Sequence, residues 1–125
     1  KNLNLKKALI VNSQDGLDEI SPYAKTDIVE LSEGKIKEYI FNPKDLGIKS
    51  NNFENIIGKD PDYNAEKIKE IFKGKDNDFS IAVCLNAAAG LLVAEKANSL
   101  KEGYEKLRQH ILSGKVINHI LKLTK

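Results

Sequence analysis

The apolar residues change their spacing once along this 125-residue chain, and that change limits what the chain can fold into. In "TDIVELSEGKIKEYIF" (Thr26 to Phe41) they alternate in steps of two on both sides of Ser32-Glu33-Gly34. That pattern predicts a β-hairpin, and "NPKDLG" closes it with turn residues. The segment from Gly47 to Pro61 is polar and predicts a loop or a short helix. Beyond it the step becomes 3.6. "NAEKIKEIFKG" places Ala65, Ile68 and Phe72 on one face, with Gly74 where a helix C-terminus expects it. "DFSIAVCLNAAAGLLVAEKA" predicts a long helix, apolar from Phe79 to Ala94, with small residues at its centre that let another backbone approach. "SLKEGYEKLRQHILSG" opens with Ser99 and Glu102 as a capping box, carries Leu100, Tyr104, Leu107 and Ile111 as a stripe, and ends at Gly114. "KVINHILKLTK" predicts a last amphipathic helix with Val116, Ile117, Ile120 and Leu121.

Ahead of the hairpin, Lys7 to Asn12 contain "ALIV", a continuous apolar run. Such a run predicts a strand buried on both faces, as in a parallel sheet. A buried strand needs neighbours on both sides, and the hairpin is the only other strand signal. The expected fold class is therefore α/β: a partial mixed sheet of one buried strand plus a β-hairpin, followed by a group of C-terminal helices, all part of a larger α/β domain. A chain that begins with Lys1 and contains no methionine is likewise expected to be a piece of a longer product.

The stretch "SQDGLDEISP", Ser13 to Pro22, follows the first strand and places Asp15, Asp18 and Glu19 within five residues. In open α/β sheets ligands bind beyond the carboxyl ends of the strands. Gly16 permits a tight turn that would fold Asp18 and Glu19 back toward the sheet. Carboxylate oxygens suit Mg²⁺, which keeps several waters and takes one or two protein carboxylates plus substrate phosphates. A solvated acidic turn, with Asp or Ser capping a short helix, fits the same spacing. Both readings remain open on the residues alone.

Other classes are disfavoured. The 20 basic and 18 acidic residues leave a net charge of +2, and Lys and Glu alternate along the helical segments, which describes solvated faces and not a nucleic-acid footprint. Arg108 is the single arginine, so the chain has one residue suited to bidentate phosphate recognition. The apolar helix is too short for a membrane, which takes about 20 apolar residues. The single cysteine, Cys84, forms no internal disulfide, and no signal peptide is visible in "KNLNLKKALIV", whose apolar region is too short, so a cytoplasmic location is expected. Cys84 reads as a small hydrophobe, and His110 and His119, on separate helices, do not match a zinc pair. Asn86 interrupts the apolar helix, where it could anchor a loop near the site or contact a ligand, and the role expected of it is structural, tying down backbone groups. No phosphate-cradling glycine loop is present, since the eight glycines stand singly.

Taken together, "ALIVNSQDGLDEIS", "TDIVELSEGKIKEYIFNPKDLGI", "NAEKIKEIFKGK", "VCLNAAAGLLVA" and "SLKEGYEKLRQHILSGK" resemble, in order, the C-terminal part of the anthranilate phosphoribosyltransferase family. The resemblance covers nearly the whole chain, and "GLDEIS" and "LNAAAGLLVA…SLKEG" are its most specific segments. It implies transfer of the phosphoribosyl group of phosphoribosyl pyrophosphate to anthranilate, in tryptophan biosynthesis, with Mg²⁺ and in a homodimer. The family's acidic pair falls on Asp18 and Glu19, which are thereby expected to hold Mg²⁺ at the pyrophosphate site. Residues 1–125 would be the C-terminal part of the α/β domain. The glycine-rich loop, the Lys-His-Gly-Asn segment, the arginine that meets anthranilate and the helical dimer domain would all lie outside them. One departure is Asn12-Ser13, where the family has His-Gly. Two other classes are kept beside this one: a nucleic-acid-binding relative of the same fold, and a stand-alone interaction module.

Overall fold

The computed structural model describes residues 2, 4–50 and 52–123. Three strands, β1 (Lys7–Ser13), β2 (Thr26–Ser32) and β3 (Lys35–Phe41), are followed by α1 (Pro61–Phe72), α2 (Asp78–Val93), α3 (Leu100–Leu112) and α4 (Val116–Leu123). Short 3-10 turns at Pro43–Leu46 and Phe53–Ile56 lie between sheet and helices. The α/β expectation and the strand, hairpin, helices order hold.

The hairpin turns at Glu33 and Gly34, with φ of 50° and 75°. Two successive left-handed residues make the turn whose twist matches the flanking strands, and Gly34 meets that demand without a Cβ penalty. The register pairs Ile28 with Tyr39 and Thr26 with Phe41. Among the described residues β1 pairs with β2 alone, so the sheet order is β1-β2-β3 and both pairings are antiparallel. The expectation of a strand buried on both faces is corrected here. Leu9, Val11, Ile28, Tyr39 and Phe41 face the helices, whereas Ile10 on the other face is 70% exposed, with Ile36 and Ile40 exposed beside it. The physical reason is that the described helices cover one face only, so "ALIV" alternates between a covered and an open side.

α1, α2 and α3 each start where a side chain can cap them. Asp60, Asn77 and Ser99 accept from the N–H three residues on. Asn77 and Ser80 form a reciprocal box at α2. At α3 the box is half realised. Glu102 reaches back one residue further, to the Asn98 N–H at 2.9 Å, and also pairs with Lys106 at 2.6 Å. Lys106 first, then Asn98, hold its carboxyl down at about 2.

α2 and α3 form the main helix pair, and they meet where their side chains vanish. A Cβ on Gly103 would stand 3.1 Å from the Ala88 Cβ and 3.2 Å from its carbonyl oxygen. Cys84, Leu85, Ala88, Tyr104 and Ile111 fill the seam and join Ile20, Ile28 and Phe41 in one core. On α3 the stripe of Leu100, Tyr104, Leu107 and Ile111 packs inward as its spacing predicts. On α1 the expected face is displaced. Ile71 is the buried residue and Phe72 packs against the same core, while Ala65 and Ile68 are exposed, because α1 joins the core at its C-terminal end, next to the close approach of Gly74 to Leu112. On α4, Val116 and Ile117 are half-buried and Leu121 is exposed. Thr124 and Lys125 lie outside the described residues.

α1 and α3 end back to back. Gly74 (φ 94°) and Gly114 (φ 67°) both turn left-handed, and a Cβ on Gly74 would lie 2.9 Å from the Leu112 carbonyl oxygen. A side chain at Gly74 therefore meets two costs, a left-handed backbone worth about 1–2 kcal/mol and a backbone clash. Gly74→Ala is expected to lower unfolding free energy by at least ~2 kcal/mol, read by urea denaturation. Gly34→Ala, with open space around it, should lose only the backbone part, about 1 kcal/mol.

Candidate functional site

The chain leaves β1 at Ser13, whose side chain is buried, and folds at once into a tight turn. The Ser13 N–H donates to the Leu17 carbonyl (2.9 Å) and the Gly16 N–H to the Ser13 carbonyl (3.0 Å). The base of the loop is closed by the Gln14 N–H on the Lys25 carbonyl, 2.9 Å. Gly16, with φ 93°, makes the reversal possible.

The three carboxylates of this loop part company. Asp15 turns inward along the loop. It accepts 2.6 Å from the Ser21 hydroxyl and 3.4 Å from the Leu17 N–H. Ser21 is fully buried and its oxygen also accepts the N–H groups of Tyr23 and Ala24. Burial pushes the Asp15 carboxyl up, but the hydrogen bonds, led by Ser21, outweigh it and leave it below the ordinary carboxylate value. Asp15 is thus a turn residue, as its place beside Gly16 suggests. Asp18 and Glu19 are exposed, and among the described residues neither takes a hydrogen bond or an ion pair. They line a cavity of about 490 Å³ whose other walls are Leu17, Ile56, Phe79, Ala82, Val83 and Asn86.

Opposite stands the first half of α2. Asn86 accepts the Ile20 N–H on Oδ1 at 2.8 Å and donates from Nδ2 to the Ile20 carbonyl at 3.0 Å. The expectation that Asn86 ties down backbone groups of a loop is borne out, and the loop is the acidic one. Ile20 itself is 1% exposed, within the core.

A second tie escapes the sequence. Asp78, the first residue of α2, accepts from the Tyr23 hydroxyl (3.0 Å), the Ser50 hydroxyl (2.8 Å) and the Asn55 amide (2.7 Å). Burial raises its carboxyl, yet these three donors, Asn55 foremost, bring it below the ordinary value. Burial, and then Asp78, push the Tyr23 phenol far up, so it stays a donor. Tyr23 and Asp78 are 55 positions apart, and no spacing rule joins them.

The remaining reactive groups are committed elsewhere. Cys84 is buried, which raises its thiol, with Arg108 opposing the shift in part. Arg108 binds the Ser80 hydroxyl at 2.9 Å and pairs with Asp76, so the one guanidinium locks α3 to the start of α2. His110 and His119 are exposed on α3 and α4. Lys67, Lys69 and Lys106 pair with glutamates of their own helices. No helix among the described residues is long and apolar enough to cross a membrane.

The family model described as "Glycosyl transferase family, a/b domain" matches residues 1–117. The chain belongs to that family. Within this glycosyl transferase family, the anthranilate phosphoribosyltransferase of Pelagibacter ubique is 56% identical over 122 residues, which are 98% of this chain and 37% of that protein. The enzyme of the same name from Methanobrevibacter smithii is 40% identical over 98% of this chain and 36% of its own length. Among solved structures, anthranilate phosphoribosyltransferase from Thermus thermophilus superposes with a TM-score of 0.78 at 31% identity, covering 89% of this chain and 32% of that one. The enzyme from Saccharomyces cerevisiae, solved in complex with PRPP and Mg, gives a TM-score of 0.75 at 26% identity, covering 88% and 32%. The chain spans about a third of the length of the curated relatives it matches.

Asp18 and Glu19 are the side chains of this cavity that could hold a hard divalent cation. Two carboxylates free of protein partners share one cavity, and among the described residues no cluster of three or more His, Cys, Asp or Glu is placed to enclose an ion. A cation held here would keep most of its coordination for water and for oxygens from a ligand, which is the habit of Mg²⁺ and not of zinc.

The Asp15–Ser21 bond has a pH signature. Because the native carboxyl is depressed, its contribution is complete above about pH 4, the ordinary value, and is lost as pH falls through the native value below it. Asp15→Ala should destabilise the protein by about 1–3 kcal/mol at pH 7, since it leaves a buried hydroxyl donor without its acceptor. The gap to wild type should shrink on acidification below about pH 4 in denaturant titrations run across pH.

Proposed function

We propose that this chain is the C-terminal part of the α/β domain of an anthranilate phosphoribosyltransferase. The complete protein then moves the phosphoribosyl group from phosphoribosyl pyrophosphate to the amine of anthranilate, releasing pyrophosphate, in tryptophan biosynthesis. The observation that carries this reading is the 56% identity to the Pelagibacter enzyme along 98% of the chain.

Within that reaction the chain's own part is binding. Asp18 and Glu19, which line the cavity without protein partners, would hold Mg²⁺ for the pyrophosphate of the donor substrate. Bound there, the cation supplies Lewis acidity and an orienting charge for the leaving group. Protein catalysis from this segment is positioning and charge compensation, not covalent attack. Cys84 is buried with a raised thiol, and the two histidines face solvent on other helices. The lysine and glutamate pairs along α1 and α3 support small-molecule chemistry over a nucleic-acid-binding role. On the family resemblance the complete protein works as a cytoplasmic homodimer.

The test is an initial-rate assay of the full-length protein with both substrates across a Mg²⁺ titration. Asp18→Asn combined with Glu19→Gln should cut turnover at fixed Mg²⁺ by roughly 100-fold or more, as expected when several kcal/mol of charge stabilisation are removed. A Mg²⁺ response identical to wild type would refute the metal assignment. The 125 residues alone should show no turnover, and full activity from them would refute the partition of the active site proposed here.

A further inference from the structure

The carboxamide of Asn86 holds the acidic loop in a way that its sequence position does not require. α2 is otherwise apolar between Ile81 and Val93, and Ala or Leu at this position would serve helix propensity better. Asn86 instead makes three bonds. Its oxygen takes the Ile20 N–H, and its two N–H donors reach the Ile20 and Ala82 carbonyls, the latter also at 3.0 Å. Two of these go to the N–H and C=O of a single residue, the pattern a neighbouring strand would offer. The third fixes which end of the amide is oxygen, because both donors face carbonyls.

Ile20 is the residue immediately after Glu19. Its backbone is held by Asn86 and its side chain by the core. On the other side, the Leu17 carbonyl is held by the Ser13 N–H. Asp18 and Glu19 are therefore the two free residues of a span pinned at both ends. We infer that Asn86 is a positioning residue for Asp18 and Glu19, setting the direction in which both carboxylates enter the cavity. This rests on the reading of that pair as cation ligands. The physical basis is entropic and geometric: a pinned span loses little further freedom when its carboxylates converge on an ion, and groups that orient ligands typically change metal affinity by about 10–100-fold.

The experiment uses full-length protein with Mn²⁺ as a spin probe, its free fraction followed by electron paramagnetic resonance, alongside the Mg²⁺ half-saturation of turnover. Asn86→Ala should raise the Mn²⁺ Kd by roughly 10–100-fold. Asn86→Asp keeps the shape but removes both donors, and it adds a negative charge beside the site. Charge alone would tighten cation binding, so a weaker Mn²⁺ Kd in Asn86→Asp reports geometry. Gly34→Ala, which costs stability at the hairpin turn away from α2 and the acidic loop, serves as the control and should stay within about twofold of wild type. Wild-type Mn²⁺ affinity in both folded Asn86 variants, with binding lost in Asp18→Asn/Glu19→Gln, would overturn the positioning role and leave the metal reading standing. Equal weakening by Gly34→Ala would also overturn it. Wild-type affinity in the Asp18/Glu19 variant would overturn the metal reading and this inference together.

Discussion

Two helix backbones meet at Ala88 and Gly103 with no room for another carbon atom, and the placement of everything else follows from that approach. It fixes α2, and α2 is the common wall of the molecule. Cys84, Leu85 and Ala88 give one side of it to the core, and Asn86 and Asp78 give another to the loops that come off the sheet. An added Cβ at Gly103 would press α2 outward by a few tenths of an ångström. The loop anchored on Asn86 would move with it. Packing in the seam and geometry at the carboxylates are thus one problem, linked through a rigid element.

The parts of the fold that the sequence announces are those with short-range causes. The hairpin is legible from alternation and from Gly34 at the turn. The helix ends are legible from Asn77, Ser99, Gly74 and Gly114, because caps and left-handed ends draw on a few residue types. Three things are hidden. The open face of β1 is hidden because "ALIV" reads alike whether one side is covered or both. The direction of α1 is hidden because Ile68 and Ile71 belong to adjacent stripes, and only the tertiary anchor at Gly74 selects between them. The Tyr23–Asp78 bond is hidden because it joins loop and helix across 55 residues.

At the site the sequence places the right residues and leaves their division of labour half told. Three carboxylates within five residues look equivalent on spacing. Folding separates them through one buried hydroxyl. Ser21 claims Asp15 and leaves Asp18 and Glu19 free to face the cavity. Asn86 is legible as an oddity in an apolar helix, and its partner is not, since nothing local ties residue 86 to residue 20.

The back-to-back ends of α1 and α3 carry a consequence for how such a chain can change over time. The connection from α1 to α2 and the connection from α3 to α4 touch each other through bare backbone at Gly74 and Gly114. Arg108 then ties α3 to Asp76 and Ser80 on the far side of the first connection. Neither linker can gain or lose a residue without shifting the other out of register. Length variation among relatives should therefore spare these two short joints and collect in freer segments, such as the polar stretch after the hairpin.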